Sequence, residues 1–199
     1  MSLVVDDFAQ VIDQQLVLAG AIGTNKLKFC KAVSTGLINS LKGKSFTTLD
    51  TGTVPGVGQG TGTGLIGLMP DQMTQIGIAA APGMTGDNAL PLMTAIMTAS
   101  QQYLAMAAAL ASNDTPVFLG TGTIVIGSIM VTMDEVNNNL QSAFKDQKAN
   151  GDNMPALCKA IATGFTFGIL TMATGELVIV GTPTGTPAPG GGPGMGTIS

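Results

Sequence analysis

One pattern returns three times along this chain, and it limits the folds available more than any other feature. Gly23-Thr24-Asn25 leads into Lys26-Leu27-Lys28-Phe29-Cys30-Lys31-Ala32-Val33. Gly86-Asp87-Asn88 leads into Ala89-Leu90-Pro91-Leu92-Met93-Thr94-Ala95-Ile96, and Gly151-Asp152-Asn153 into Met154-Pro155-Ala156-Leu157-Cys158-Lys159-Ala160-Ile161. The pairs Thr35-Gly36, Thr98-Ala99 and Thr163-Gly164 continue the match. Asp7, Asp71 and Asp134 each lie about one helix length before these turns. Downstream, the stretch 60–67 resembles 120–127, and 194–199 is a shorter echo. The period, roughly 65 residues, is longer than that of common solenoids. Units this small must bury their apolar faces against one another.

Each unit predicts two helices and then extended chain. The first helix opens near Asp6 or Asp7, Asp71 and Asp134, where a carboxylate caps free N–H groups and meets the positive end of the helix dipole. Phe8, Val11, Ile12, Leu16 and Leu18-Ala19 make its approximate apolar stripe in the first copy, and Val136, Leu140 and Phe144 in the third. Glycine at the Gly-x-Asn turn stops it. A more apolar second helix spans about 25–42, 89–112 and 154–173, with Ala, Gly and Thr permitting close approach to neighbours. Thr- and Val-rich strands follow at 45–53, 116–130 and 176–182. Pro/Gly loops at 53–59 and 186–193 suggest β-hairpins in copies 1 and 3, and a shortened or continuous strand in copy 2. The 186–193 segment has the composition of a free tail unless a partner chain or its own hairpin holds it. The expected fold is therefore α+β: three tandem helix–helix–strand (or β-hairpin) repeats, over 1–67, 68–130 and 131–199. They form a pseudo-threefold cluster or a short array.

Charge then narrows the function. Only 10% of residues are charged, against roughly 25% in an ordinary soluble domain. A surface so poor in charge implies cover by neighbours. The net charge of −4 disfavours a nucleic-acid partner, which needs clustered Lys and Arg. No apolar run reaches about 18 residues, so no membrane span is expected; 89–112 and 156–180 come nearest and are interrupted by polar residues. The N-terminus lacks the basic start and long apolar core of a secretory signal.

The motifs that suggest chemistry have simpler explanations. Gly62-Thr63-Gly64-Leu65-Ile66-Gly67 fits G-x-G-x-x-G, but a Pro/Gly loop precedes it and the matching stretch breaks the pattern at Val125. A glycine-rich strand packed against a neighbour explains it as well. Gly43-Lys44-Ser45 resembles the end of a P-loop, yet Ile38 stands where the motif needs glycine. Cys30, Met93 and Cys158 are equivalent positions, and Met replaces a buried thiol but not a nucleophile or thiolate ligand. Asp7, Asp71 and Asp134 would form a calcium trio only if the units met around an axis; helix ends account for them otherwise. Met93, Met97 and Met106 suit adaptable packing. With no His in the chain, no His-based acid–base pair exists. No catalytic, cofactor-binding or metal-ligating residue is assigned, no cofactor is expected, and the chain is not read as an enzyme.

The helix followed by Gly-Thr-Gly-Thr-Gly, the neutral Thr/Gly composition and the Pro/Gly end, concentrated in 60–67, 120–127 and 181–199, resemble small virion structural proteins of tailed bacteriophages. The resemblance implies a neck, tail or baseplate component, or a capsid-associated one. Such a protein is made in the host cytoplasm, is incorporated into the virion, and joins other virion structural proteins as a homo- or hetero-oligomer. Uncharged strands with open edges would supply contacts by pairing with other chains. A membrane-active or envelope-associated protein using the apolar helices is the second expectation, and a nucleotide-binding enzyme the third.

Overall fold

A computed structural model of the chain describes residues 3–20, 25–54, 58–81, 87–106, 110–114, 117–149, 151–172, 176–183, 185–186 and 188–199. Its architecture is α+β. Six helices, α1 (Val5–Leu18), α2 (Lys26–Leu41), α3 (Pro70–Ala79), α4 (Ala89–Met106), α5 (Met133–Asp146) and α6 (Met154–Met172), accompany six strands. The strands are β1 (Ser45–Val54), β2 (Gly58–Gly64), β3 (Leu110–Asp114), β4 (Leu119–Ile124), β5 (Glu176–Pro183) and β6 (Ala188–Ile198). All strand pairs are antiparallel, and the order β1-β4-β5-β2-β3-β6 closes into a barrel.

This closure corrects two expectations. The strands joined by the Pro/Gly loops do not pair with each other: β1 bonds to β4 and β6 rather than β2, β3 to β2 and β6 rather than β4, and β5 to β2 and β4 rather than β6. The expected hairpins are therefore absent among the described residues, and each strand takes its hydrogen bonds from distant chain. Nor does this sheet have the open edges expected to recruit other chains, because a closed barrel satisfies every edge internally. The glycine-rich segment 188–198 is held as β6 between β1 and β3, by its own chain but not by a hairpin.

Helix packing joins α1 to α2 and α4, α5 to α2 and α6, and α3 to α4 and α6. The apolar faces meet in one core that includes Phe8, Ile12, Leu37, Met73, Ile96, Phe144, Phe165 and Ile169. Phe8 stacks on Tyr103 with ring centroids 4.5 Å apart, tying α1 to α4. Tyr103 Oη donates to the Val4 carbonyl at 3.0 Å and accepts from the Val4 N–H at 2.6 Å. Phe29 meets Phe144 edge-on at 5.4 Å.

Small residues permit these approaches. A Cβ on Gly36 of α2 would lie 2.8 Å from Leu140 Cα of α5, and one on Gly164 of α6 would strike the Met73 carbonyl of α3. Gly→Ala in a helix ordinarily gains about 1 kcal/mol of propensity. At Gly164 the obstruction is backbone, so overpacking of about 1–3 kcal/mol outweighs that gain. Gly164→Ala is expected to lower the urea midpoint with an unchanged m-value.

Local detail departs from the sequence reading in three places. The aspartates lie in the first helical turn rather than at the cap: the N-caps are Val4, Met69 and Thr132, and only the Thr132 hydroxyl accepts a bond, from Glu135 N at 3.2 Å. The carboxylates still meet the helix dipole. The helix expected over 89–112 ends at Met106, and 110–114 is strand β3. Its Ala-rich lead-in favours helix, but pairing with β2 and β6 overrides local propensity. The strand expected over 116–130 shortens to β4, with Gly127 at φ +78° beyond it. Gly23, Thr24 and Gly86 of the recurrent turns, and Pro55, Gly56, Val57 and Pro187 of the two loops, lie outside the described residues.

Candidate functional site

The Gly-Thr-Gly-Thr pattern has a period of two, so one residue type faces inward and the other outward. In β2, Gly60, Gly62 and Gly64 are buried while Thr61 and Thr63 are exposed. In β4, Gly122 and Ile124 are buried while Thr121 and Thr123 are exposed. In β6, Gly194 and Ile198 are buried while Met195 and Thr197 are exposed. The other three strands carry inward side chains: Phe46, Thr48 and Asp50 from β1, Leu110, Ser112 and Asp114 from β3, and Ile179 from β5. The two kinds of strand alternate around the barrel. A six-stranded barrel is narrow, and bare glycines on every second strand make room for the side chains of the rest.

Two of those inward side chains are carboxylates. Asp50 is 1% exposed and Asp114 fully buried, with Thr48 and Ser112 beside them. Ser112 Oγ donates to Asp114 Oδ2 at 2.8 Å. Among the described residues, both Asp50 oxygens, Asp114 Oδ1 and Thr48 Oγ1 have no hydrogen-bond partner. These oxygens converge: a Cβ on Gly194 would lie 2.5 Å from Asp50 Oδ2 and would also overlap Asp114 Oδ1 and Thr48 Oγ1. A Cβ on Gly122 would overlap Asp50 Oδ1.

Burial pushes the Asp50 carboxyl from 3.8 up to about 6. The Thr48 hydroxyl pulls it back, near enough to act although it makes no hydrogen bond of ordinary length and angle, and the charge of Asp114 raises it further. An unpaired buried carboxylate is costly, and two side by side more so. The arrangement is suited to binding a proton or a cation. Attack on a substrate would need access, and both groups lie inside the barrel wall. An open groove of about 370 Å³ outside β2, β3 and β6, lined by Thr61, Thr63, Asn113, Met195 and Thr197 among others, carries no ionisable group.

The residues singled out from sequence lie elsewhere. Gly62 and Gly64 belong to β2, and the next helix opens only at Pro70. Gly43 adopts φ +80° after α2, and Lys44 Nζ sits 2.8 Å from Glu135 Oε2 of α5. Asp7, Asp71 and Asp134 stand on three separate helices, and no group of three or more His, Cys, Asp or Glu gathers among the described residues. Met93 and Met97 are core residues, whereas Met106 is exposed.

Cys30, Met93 and Cys158 are all fully buried. Burial pushes both thiols up to about 12, with Asp13 adding to the effect at Cys30. Since the thiolate is the reactive form, native protein at pH 8 is expected to react with a thiol reagent orders of magnitude more slowly than the denatured chain. A rapid two-thiol burst from native protein would contradict this.

Sequence reasoning missed Asp50 and Asp114. Asp50 shares the inward parity of Phe46 and Thr48, and that was the available signal. Asp114 precedes Thr115-Pro116 and looks like a turn residue. Comparison with protein-family models, with curated proteins and with solved structures finds no match to this chain.

Proposed function

We propose that this chain is a structural subunit of a viral particle, of the neck, tail or baseplate kind found in tailed phages, acting through subunit–subunit contacts. The observation that carries this reading is the outer barrel face. Leu49, Leu119, Val178 and Val180 are 63%, 53%, 56% and 59% exposed. Leu119 and Val180 are direct cross-strand partners, as are Thr121 and Val178. The other described outward side chains of β1, β4 and β5 are threonine and serine, none of them charged, while β3 and β6 present Asn113, Met195 and two prolines. Contiguous apolar surface of this sort marks an interaction site. Because the barrel is closed, contact there would be face to face.

The finer architecture belongs to the same proposal: three tandem copies, 1–67, 68–130 and 131–199, around a pseudo-threefold axis. Helix, helix, strand, strand recurs three times in the element order. Replacing β1 by β3, β3 by β5 and β5 by β1, with β2, β4 and β6 moved likewise, returns the same six strand pairings. The same permutation of α1 to α6 returns the six main helix pairings. A cyclic strand order favours the cluster over a linear array.

Purified chain is expected to self-associate in sedimentation velocity, and Leu119→Lys with Val180→Lys to shift it to monomer while its circular dichroism stays unchanged. A wild-type chain monomeric at 100 μM would count against the reading. Mass spectrometry of gradient-purified particles from the source culture tests the virion assignment itself.

The membrane reading keeps one supporting observation. Met154–Thr171 within α6 is long and apolar enough to cross a bilayer, and half of it is buried in the fold. Cys158, Ile161, Phe165 and Ile169 pack into the core, which is the ordinary use of such a helix. Liposome flotation distinguishes the two readings.

A further inference from the structure

We propose that the barrel interior is a binding site for one hard divalent cation, held by the carboxylates of Asp50 and Asp114 and the hydroxyl of Thr48, with Ser112 orienting Asp114. The inference is independent of the assembly role.

Three observations carry it. First, Asp50 and Asp114 come from strands far apart in sequence, yet their oxygens converge on the same point above Gly194. Second, Thr48, which carries no charge and is 1% exposed, makes no hydrogen bond of ordinary length and angle among the described residues, and its oxygen lies at that point as well. A buried hydroxyl ordinarily finds a partner. An oxygen left free beside free carboxylate oxygens is what a cation would use. Third, glycine at 122 and 194 is what lets these oxygens gather inside the barrel, since a Cβ at either position would overlap them.

The donor set selects the ion class. All donors are oxygens, two of them anionic, and no His or Cys belongs to the cluster. Carboxylate and hydroxyl oxygens suit calcium, magnesium or manganese rather than zinc or copper. Two negative charges balance one divalent ion, which removes the cost of burying them unpaired.

The test uses the full chain, freed of metal by chelator dialysis and melted at pH 7.5 with calcium, magnesium or manganese chloride from 10 μM to 10 mM. At least one ion is expected to raise Tm by several degrees with saturation, and titration calorimetry to give one site per chain. Asp50→Asn and Asp114→Asn are expected to abolish the rise. Thr48→Val, nearly isosteric and needing no charge change, is expected to keep the fold and weaken binding about tenfold. If no ion moves Tm in wild type, or if Asp50→Asn and Thr48→Val both keep the full shift, the proposal fails. The pair would then simply share a proton.

Discussion

Gly120→Val is expected to cost 4 kcal/mol or more and to leave the chain without a closed barrel. Gly120 of β4 and Gly52 of β1 are cross-strand partners. A Cβ at 120 would overlap the Thr51 carbonyl and lie 2.7 Å from Gly52 Cα, and one at 52 would meet Gly120 Cα at 2.7 Å. The obstacle is backbone in both directions, so no rotamer change relieves it. β1 must part from β4, and the ring of hydrogen bonds opens at that seam. Losses of this size are unusual for one residue and come from a few mechanisms, overpacking among them. Thr121→Val is the matched control: it is one residue away, exposed, and β-branched before and after. It should change stability by no more than about 0.5 kcal/mol. Urea unfolding of the two variants beside wild type is the measurement. A Gly120→Val protein with a wild-type midpoint would mean that β1 and β4 are not in contact as described.

Asp50→Asn is expected to stabilise the metal-free protein near neutral pH. Burial raises the folded-state pKa of Asp50 from 3.8 to about 6. Between those values the folded state binds more protons than the unfolded state, so stability falls as pH rises through that window. The contribution, on the order of 2–3 kcal/mol, is present below about pH 4 and is lost as pH rises through about 6. Asparagine carries no charge, cannot repel Asp114, and can donate to its free oxygen. In chelating buffer at pH 7.5 the variant should therefore gain on the order of 2–3 kcal/mol, or roughly 5–10 °C in Tm for a chain of this size. Its stability should be nearly flat between pH 4 and 6.5, where wild type declines. Thermal melts across that range check both statements. A variant less stable than wild type in chelator, with unchanged pH dependence, would refute the like-charge account of the pair.

Much of the fold was legible because two different periodicities alternate along the chain. Val136, Leu140 and Phe144 mark the buried face of α5, and all three are buried. The Gly-Thr-Gly-Thr segments read as strands because glycine explains close approach on one face and threonine explains the other. What the sequence could not reveal was which strand pairs with which. Hairpins are the default for strands joined by short Pro/Gly loops, and nothing local states that β1 will bond to β4 and β6 instead. That choice is made by the whole barrel, which pairs β1 with distant chain on both sides. The misplaced end of α4 has the same origin: Leu110 and Ala111 extend an Ala-rich helical run, and only β2 and β6 draw them into a strand. The carboxylate pair was hidden for a related reason. Asp50 and Asp114 are 64 residues apart in sequence, and only the closed strand order brings them together. Lys44 shows the converse: the partial P-loop likeness around it, already broken at Ile38, gave no hint that its ammonium would pair with Glu135 of α5.

Mutual dependence of the three segments is the account's foundation, and residues 68–130 made as a separate peptide test it most directly. Both strands in this piece, β3 and β4, draw every ladder partner from outside it: β2, β6, β1 and β5. Far-UV circular dichroism at low micromolar concentration should therefore record an unfolded chain, with structure emerging only as concentration rises and copies substitute for the missing segments. A folded spectrum with a cooperative melt independent of concentration would contradict the interleaved barrel.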